Sequence, residues 1–368
     1  GATNMLKFST SKELNVLIDR VTLDASNAIM STGNSVIEFE KDLDTANVAI
    51  TNSIVTLSGT NIHLFRAHQN VEKSSIFLQN NTITATGKMA CYVFRHYQSR
   101  TAVSARHIQL NLQEVDLKME CLSQVNVVEL SGVSIANVSV LFNTSAVRTF
   151  VDTSFAYPSS LVYVLQNKGK SLSGLHINVL RSFVNVSNVQ SVVMFSIASY
   201  ASWDSVLLDV SESELIQTGK LLEFLRASRH PLITNGKFRL YDSQVSLVSA
   251  SSAVFGQAYF MKIGISESGT LSNVSFEIED SDIDINQHGN VALLRLYKQI
   301  LDAYTTITIR GVDSNISATR NVTAIDLENC TLTTSNVVVS DSAFLIETEL
   351  PPNSGASVVN KGNAADRS

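Results

Sequence analysis

Apolar residues along this chain keep changing parity. Alternate residues of a strand share a face, and Val48 and Ile50 fit one such run. Val55 and Leu57 fit a second run, displaced by an odd number of positions. The same five-residue jump separates Leu78 from Ile83, Leu240 from Val245, Ile278 from Ile283 and Val339 from Phe344. All of these can face one core only if the chain bends between the two runs. Asn or Asp stands at the jump, usually followed by Ser, as in Asn52-Ser53, Asp242-Ser243, Asp280-Ser281 and Asp341-Ser342; Asn80-Asn81 is the variant. Asn and Asp best tolerate the left-handed conformation of a tight bend, and their side chains bond to nearby backbone. The pattern predicts a corner between two strands.

A third apolar run follows in most units, at 35–40, 61–66, 89–95, 125–130, 146–152 and 191–197, and again at 220–226, 258–263, 290–297 and 322–327. Leu221–Ala227 and Val291–Leu301 look helical in isolation, but their place in the repeat favours strand. Weaker corners fill the gaps at Asp19, Leu112, Asn137, Arg181, Glu212 and Asp313, so steps between corners run from 25 to 44 residues. A sequence period of this size marks a solenoid. The expected fold is all-β: a parallel β-helix of about ten coils with three strands each, right-handed as crossovers between parallel strands overwhelmingly are. The expected division is a partial coil or cap over 1–14, the β-helix over 15–348 and a polar tail or linker over 349–368. Neither end reads as a cap, so further coils of a longer parent are the expected neighbours.

Composition narrows the function classes. The 27 basic and 33 acidic residues are too evenly balanced to imply nucleic acid or an anionic membrane. No apolar run is long enough to span a bilayer. Only four prolines occur, as hydrogen-bonded strands require. Of three cysteines, Cys91 and Cys121 are 30 residues apart, about one coil. A bridge between neighbouring coils and buried free thiols are both open readings.

Candidate chemistry is sparse. Arg66 and Arg95 follow Phe65 and Phe94 in adjacent coils, with His68, His96 and Tyr97 nearby. Such an edge suits a glycan or anion through paired charge and ring stacking. The corner residues Asn52, Asn80, Asn137, Asp242, Asp280, Asp313 and Asp341 are assigned a structural role. Stacked corner carboxylates would suit Ca²⁺, but a solvated Asp corner explains them as well, so neither metal nor cofactor is expected. Asn-x-Ser/Thr sequons make Asn143, Asn185, Asn273, Asn321 and Asn329 glycosylation candidates. Asn80, Asn137 and Asn315 also head sequons. No Gly-rich phosphate loop and no Gly-x-Ser-x-Gly elbow is present.

The repeat from about Asn15 to Ile346 resembles the pectin-lyase-like parallel β-helix superfamily. The short motifs of its polygalacturonases (Asn-Thr-Asp, Asp-Asp, Gly-His-Gly, Arg-Ile-Lys) are missing, and His288-Gly289 is the nearest fragment. The style of Asn137-Val138-Ser139-Val140 and Asn185-Val186-Ser187-Asn188-Val189 looks like the large surface proteins of kinetoplastid protists of the dispersed-gene-family type. That likeness implies a secreted or cell-surface glycoprotein with an adhesive or structural role. With the catalytic motifs missing and the basic, aromatic edge present, the expected function is non-catalytic, structural, adhesive or glycan-contacting, toward glycans or host or cell-surface molecules. A polysaccharide-active enzyme and a viral or phage fibre are the alternatives.

Overall fold

The computed structural model describes residues 3–9, 11–25, 34–96, 103–151, 157–166, 172–199, 202–228, 232–250, 256–264, 268–302, 304–333, 335–348, 356–360 and 365–366. No described residue is helical, so among the described residues no helix is long and apolar enough to cross a membrane. All strand pairing is parallel, and each strand pairs with its equivalent one coil away. One coil illustrates the plan. Lys237–Tyr241 forms the first face, Gln244–Ser249 the second and Gly256–Ile263 the third. A short strand, Gly269–Ser272, then leads to the first face of the next coil, Ser275–Glu279. The short strand is a fourth segment that the apolar pattern does not announce, because it contributes few inward residues. First-face strands recur from Asn15–Asp19 to Asn336–Ser340, which makes about ten turns. Both Leu221–Ser228 and Gly289–Tyr297 are strands.

Inward residues stack in columns. Ile50 lies beside Leu78, Leu240 beside Ile278, and Ile309 beside Val339. Ile50, Leu78, Leu240 and Ile278 are buried, whereas Val339, in the last first-face strand, is 36% exposed. Aromatic rings stack in the same way, Phe224 on Phe260 at 4.4 Å and Phe238 on Phe276 at 5.2 Å. Pairing also reaches the ends of the chain. Thr3–Phe8 pairs with Asn34–Phe39, and Ala356–Asn360, within the segment read as a tail, pairs with Val322–Glu328.

The corner between the first and second faces has positive φ in every coil, at Asn52 (50°), Asn80 (51°), Asp242 (45°), Asp280 (48°) and Asp341 (50°). Glu114, Thr144, Arg181, Glu212 and Arg20 take the same conformation in other coils, as does Gly311. Two corner assignments change. Asn137 has positive φ (52°) but belongs to a second corner, before the first face, with Lys73, His107, Asn235 and Asn273; its coil turns at Thr144. Asp313 opens the strand Asp313–Ala318, two residues past Gly311. The weaker assignments at Asp19 and Leu112 shift to Arg20 and Glu114. With these corrections the corner-to-corner steps run from 28 to 38 residues. Side-chain identity alone misplaces these corners because strands on both sides impose the left-handed conformation on whatever residue stands there.

The residue after the corner supplies the bonding. Ser145, Ser182, Ser213, Ser243 and Ser281 are buried one above another. Backbone N–H of Ser182 donates to Ser213 Oγ (3.1 Å), that of Ser213 to Ser243 Oγ (3.1 Å), and that of Ser243 to Ser281 Oγ (3.2 Å). Each hydroxyl in turn donates to the carbonyl two residues back, as Ser213 does to Ser211 at 2.7 Å. A buried N–H without a partner is costly, and this ladder satisfies one per coil. Asn81 substitutes, its Oδ1 accepting from Ser53 N–H at 2.9 Å.

Cys91 and Cys121 form a disulfide between neighbouring coils where the second face meets the third. A Cβ at Gly87 would lie 2.6 Å from Cys121 Sγ and 2.8 Å from Cys91 Sγ, so only glycine fits beside the bridge. Cys330 is a buried free thiol, and burial pushes its pKa up to about 11.

Candidate binding face

The third face contains a bend of the opposite sense. In each coil two successive apolar residues both join the core: Leu64-Phe65, Val93-Phe94, Val127-Val128, Phe224-Leu225, Phe260-Met261 and Leu293-Leu294. Consecutive inward residues break strand alternation and turn the chain concave toward solvent. The residues flanking each pair, three apart, would lie on opposite sides of a straight strand. Here they touch. Arg95 lies over the Tyr92 ring at 4.4 Å, Asn126 Nδ2 donates to Glu129 Oε2 at 3.1 Å, and Glu223 pairs with Arg226. Tyr92 and Tyr259 are buried yet lie outside the core cluster. The outcome is a shallow trough along the stack, floored by largely buried polar side chains.

One charged cluster occupies the N-terminal coils. Glu38, Arg66, Arg95 and Glu129 stack in register. Arg66 pairs with Glu38 at 3.6 Å and Arg95 with Glu129 at 3.5 Å. His68 Nε2 meets Glu38 Oε1 at 2.7 Å, and Arg95 Nη1 lies 3.4 Å from His63 Nε2. His63 stacks on Tyr92 at 5.1 Å. Burial, opposed by Glu38, draws the Arg66 pKa below its ordinary value. The expected edge therefore includes Arg66, His68 and Arg95. It does not include His96, which is fully buried on the inward side, in register with Ala67 and Leu130. His96 Nε2 bonds to the Gln69 carbonyl at 2.8 Å, and burial lowers its pKa to about 4. Parity explains the difference, since residues 95 and 96 point to opposite sides. Tyr97 lies outside the described residues.

A second cluster, absent from the sequence reading, lies further along the trough. Arg226, Lys262, Arg295 and Asp326 continue the outward column. Lys262 Nζ bonds to Glu223 Oε1 at 2.9 Å. Arg295 donates to Tyr259 Oη at 2.5 Å and to Glu328 Oε2 at 2.6 Å, and its Nε lies 3.5 Å from Asp326. Burial raises the pKa of both Tyr259 and Asp326. The apolar pair flanked by polar residues, as in Glu223-Phe224-Leu225-Arg226, is a sequence signal that finds this cluster.

Each cluster balances its charges. Glu38 and Glu129 offset Arg66 and Arg95; Glu223, Asp326 and Glu328 offset Arg226, Lys262 and Arg295. Chemically, the trough offers donors and acceptors side by side, with the cations already paired.

The remaining candidates lie elsewhere. Glu212, Glu214, Asp242, Asp280 and Asp282 line an open, shallow concavity at the first corner. Among the described residues no group of three or more His, Cys, Asp or Glu is arranged to hold a metal. Asn80 Nδ2 donates to Asn52 Oδ1 at 2.8 Å, and Asn273 Nδ2 to Asn235 Oδ1 at 2.7 Å, so these sequon amides serve corner ladders. Asn321 and Asn329 are exposed, while Asn143 and Asn185 are half-buried within strands. No family model, no curated protein and no solved structure matches this chain.

Proposed function

We propose that this chain is a non-catalytic β-solenoid segment of a secreted or cell-surface protein, and that its third face is an adhesive, glycan-contacting surface. The observation that carries this reading is the trough of paired, largely buried charges on one side of the stack. The polar groups are held in place before any ligand arrives, which lowers the ordering cost of binding. The disulfide between coils supports export, because such bridges persist in oxidising compartments. The likenesses in pattern to pectin-lyase-like helices and in style to kinetoplastid surface glycoproteins fit the same reading.

The test is antibody labelling of intact cells, together with retention of the purified chain on immobilised cell-surface polysaccharides. Surface labelling and retention are expected, with Cys91 and Cys121 blocked to thiol reagents. A cytosolic pool with both thiols free would overturn the export part. Incubation with uronate polymers should yield no unsaturated product. Product that disappears in Lys262→Met would overturn the non-catalytic part.

A further inference from the structure

The two clusters set both the chemistry and the length of a ligand. Resting on the glycan-contacting reading above, we infer that the trough binds a neutral, hydroxyl-rich polysaccharide running along the stack and engaging both clusters at once.

Charge balance gives the class. An acidic polymer reaching Arg66 or Arg95 must compete with Glu38 or Glu129, and a basic polymer reaching those carboxylates must compete with the arginines. Separating a buried pair leaves one charge uncompensated, which is strongly unfavourable. A vicinal diol needs no such separation. One hydroxyl accepts from a guanidinium while its neighbour donates to the adjoining carboxylate. The rings give the second constraint. Tyr92 is covered by His63 and Arg95, and Tyr259 by Lys262 and Arg295. Stacking of a sugar ring is therefore secondary to hydrogen bonding. Asn126 is fully buried beneath the first cluster, where its Nδ2 holds Glu129 Oε2 in place.

Register gives the length. From Arg95 the outward column passes through Glu129, Tyr163, Ser196, Arg226 and Lys262 to Arg295, six coil steps. At about 4.8 Å per step this is roughly 29 Å. One sugar of an extended chain covers nearly one coil, so a dimer reaches one cluster and an octamer reaches both.

Calorimetry with neutral gluco-, manno- and xylo-oligosaccharides, dimers against octamers, tests the inference; oligogalacturonate serves as the acidic probe. One neutral octamer should bind about 100-fold more tightly than its dimer, the gain expected of two linked sites. Its affinity should change little with salt. Two charge-conserving double variants, Arg95→Met with Glu129→Gln and Arg295→Met with Asp326→Asn, should each reduce octamer affinity to that of the dimer. Equal affinity of dimer and octamer for the unaltered chain would sink the spanning mode, whatever the variants do. Tighter, salt-sensitive binding of oligogalacturonate would overturn the neutral class and leave the adhesive reading standing. No binding by any of these sugars would overturn both.

Discussion

The solenoid turns by two contrasting devices, the convex corner after the first face and the concave bend within the third. At the corner, one backbone conformation repeats in every coil and one hydroxyl in most of them. Residues in register do the same job, so a single substitution removes one rung of many. At the bend, consecutive inward pairs recur, but the combination of side chains flanking them changes from coil to coil. Glu223 serves Arg226 and Lys262 together, and Arg295 serves Tyr259, Asp326 and Glu328. The contrast separates a generic building element, which is local and redundant, from a surface whose parts have no substitutes.

The largest expected effect falls on the bend. Glu223→Ala leaves Arg226 and Lys262 without their shared carboxylate, at a cost of about 3–5 kcal/mol. Denaturant titration should show it, and a loss below about 1 kcal/mol would mean that the bend is as redundant as the corner. Next comes His96, on the inner side beside Arg95. Its folded pKa of about 4 lies below the ordinary 6.5. The unfolded chain therefore binds a proton that the folded chain refuses. Stability from this residue is full above about pH 6.5, falls as pH drops and is lost by about pH 4, amounting to about 3 kcal/mol. His96→Leu should flatten the pH dependence of stability over that window relative to the unaltered chain.

Smaller effects belong to the corner. Ser213→Ala removes the acceptor of the Ser182 N–H and should cost about 1–3 kcal/mol, with increased hydrogen exchange at Ser182. The smallest is Asp242→Gly. Glycine already occupies the equivalent corner at Gly311, and φ is 45° at Asp242. The change should stay within about 1 kcal/mol, with a stabilising sign. A larger destabilisation would show that the Asp side chain, rather than the backbone conformation, holds the corner.

The same contrast explains what could be read in the sequence. The Asn52, Asn80, Asp242, Asp280 and Asp341 corners are legible because Asn and Asp tolerate positive φ. Glu114 and Thr144 turn the chain equally well because the stacked strands enforce the turn, and nothing in their identity announces it, whereas Arg181 and Glu212 are found by their place in the repeat. The repeating Ser after the corner is visible in the sequence, but its role as an acceptor for the coil before appears only once the coils are stacked. On the third face, Arg66 and Arg95 stand out by their shared spacing. Tyr259 and Lys262 share no such repeated dipeptide with a neighbouring coil, and only the apolar pair between them, Phe260-Met261, marks them. His96 shows the cost of grouping residues by proximity in sequence without counting strand parity.

The disulfide has a mechanical consequence. Every strand lies across the axis of the stack, so tension on the chain ends peels coils away in turn instead of shearing them together. Unravelling from either side stops feeding out chain at the Cys91–Cys121 bridge, which closes a segment with a sequence separation of 30. At about 3.5 Å per residue this hides roughly 100 Å of contour length. An oxidised chain under load therefore reaches full extension sooner than a reduced one, and the bridge acts as a strain limiter near one third of the way along the molecule.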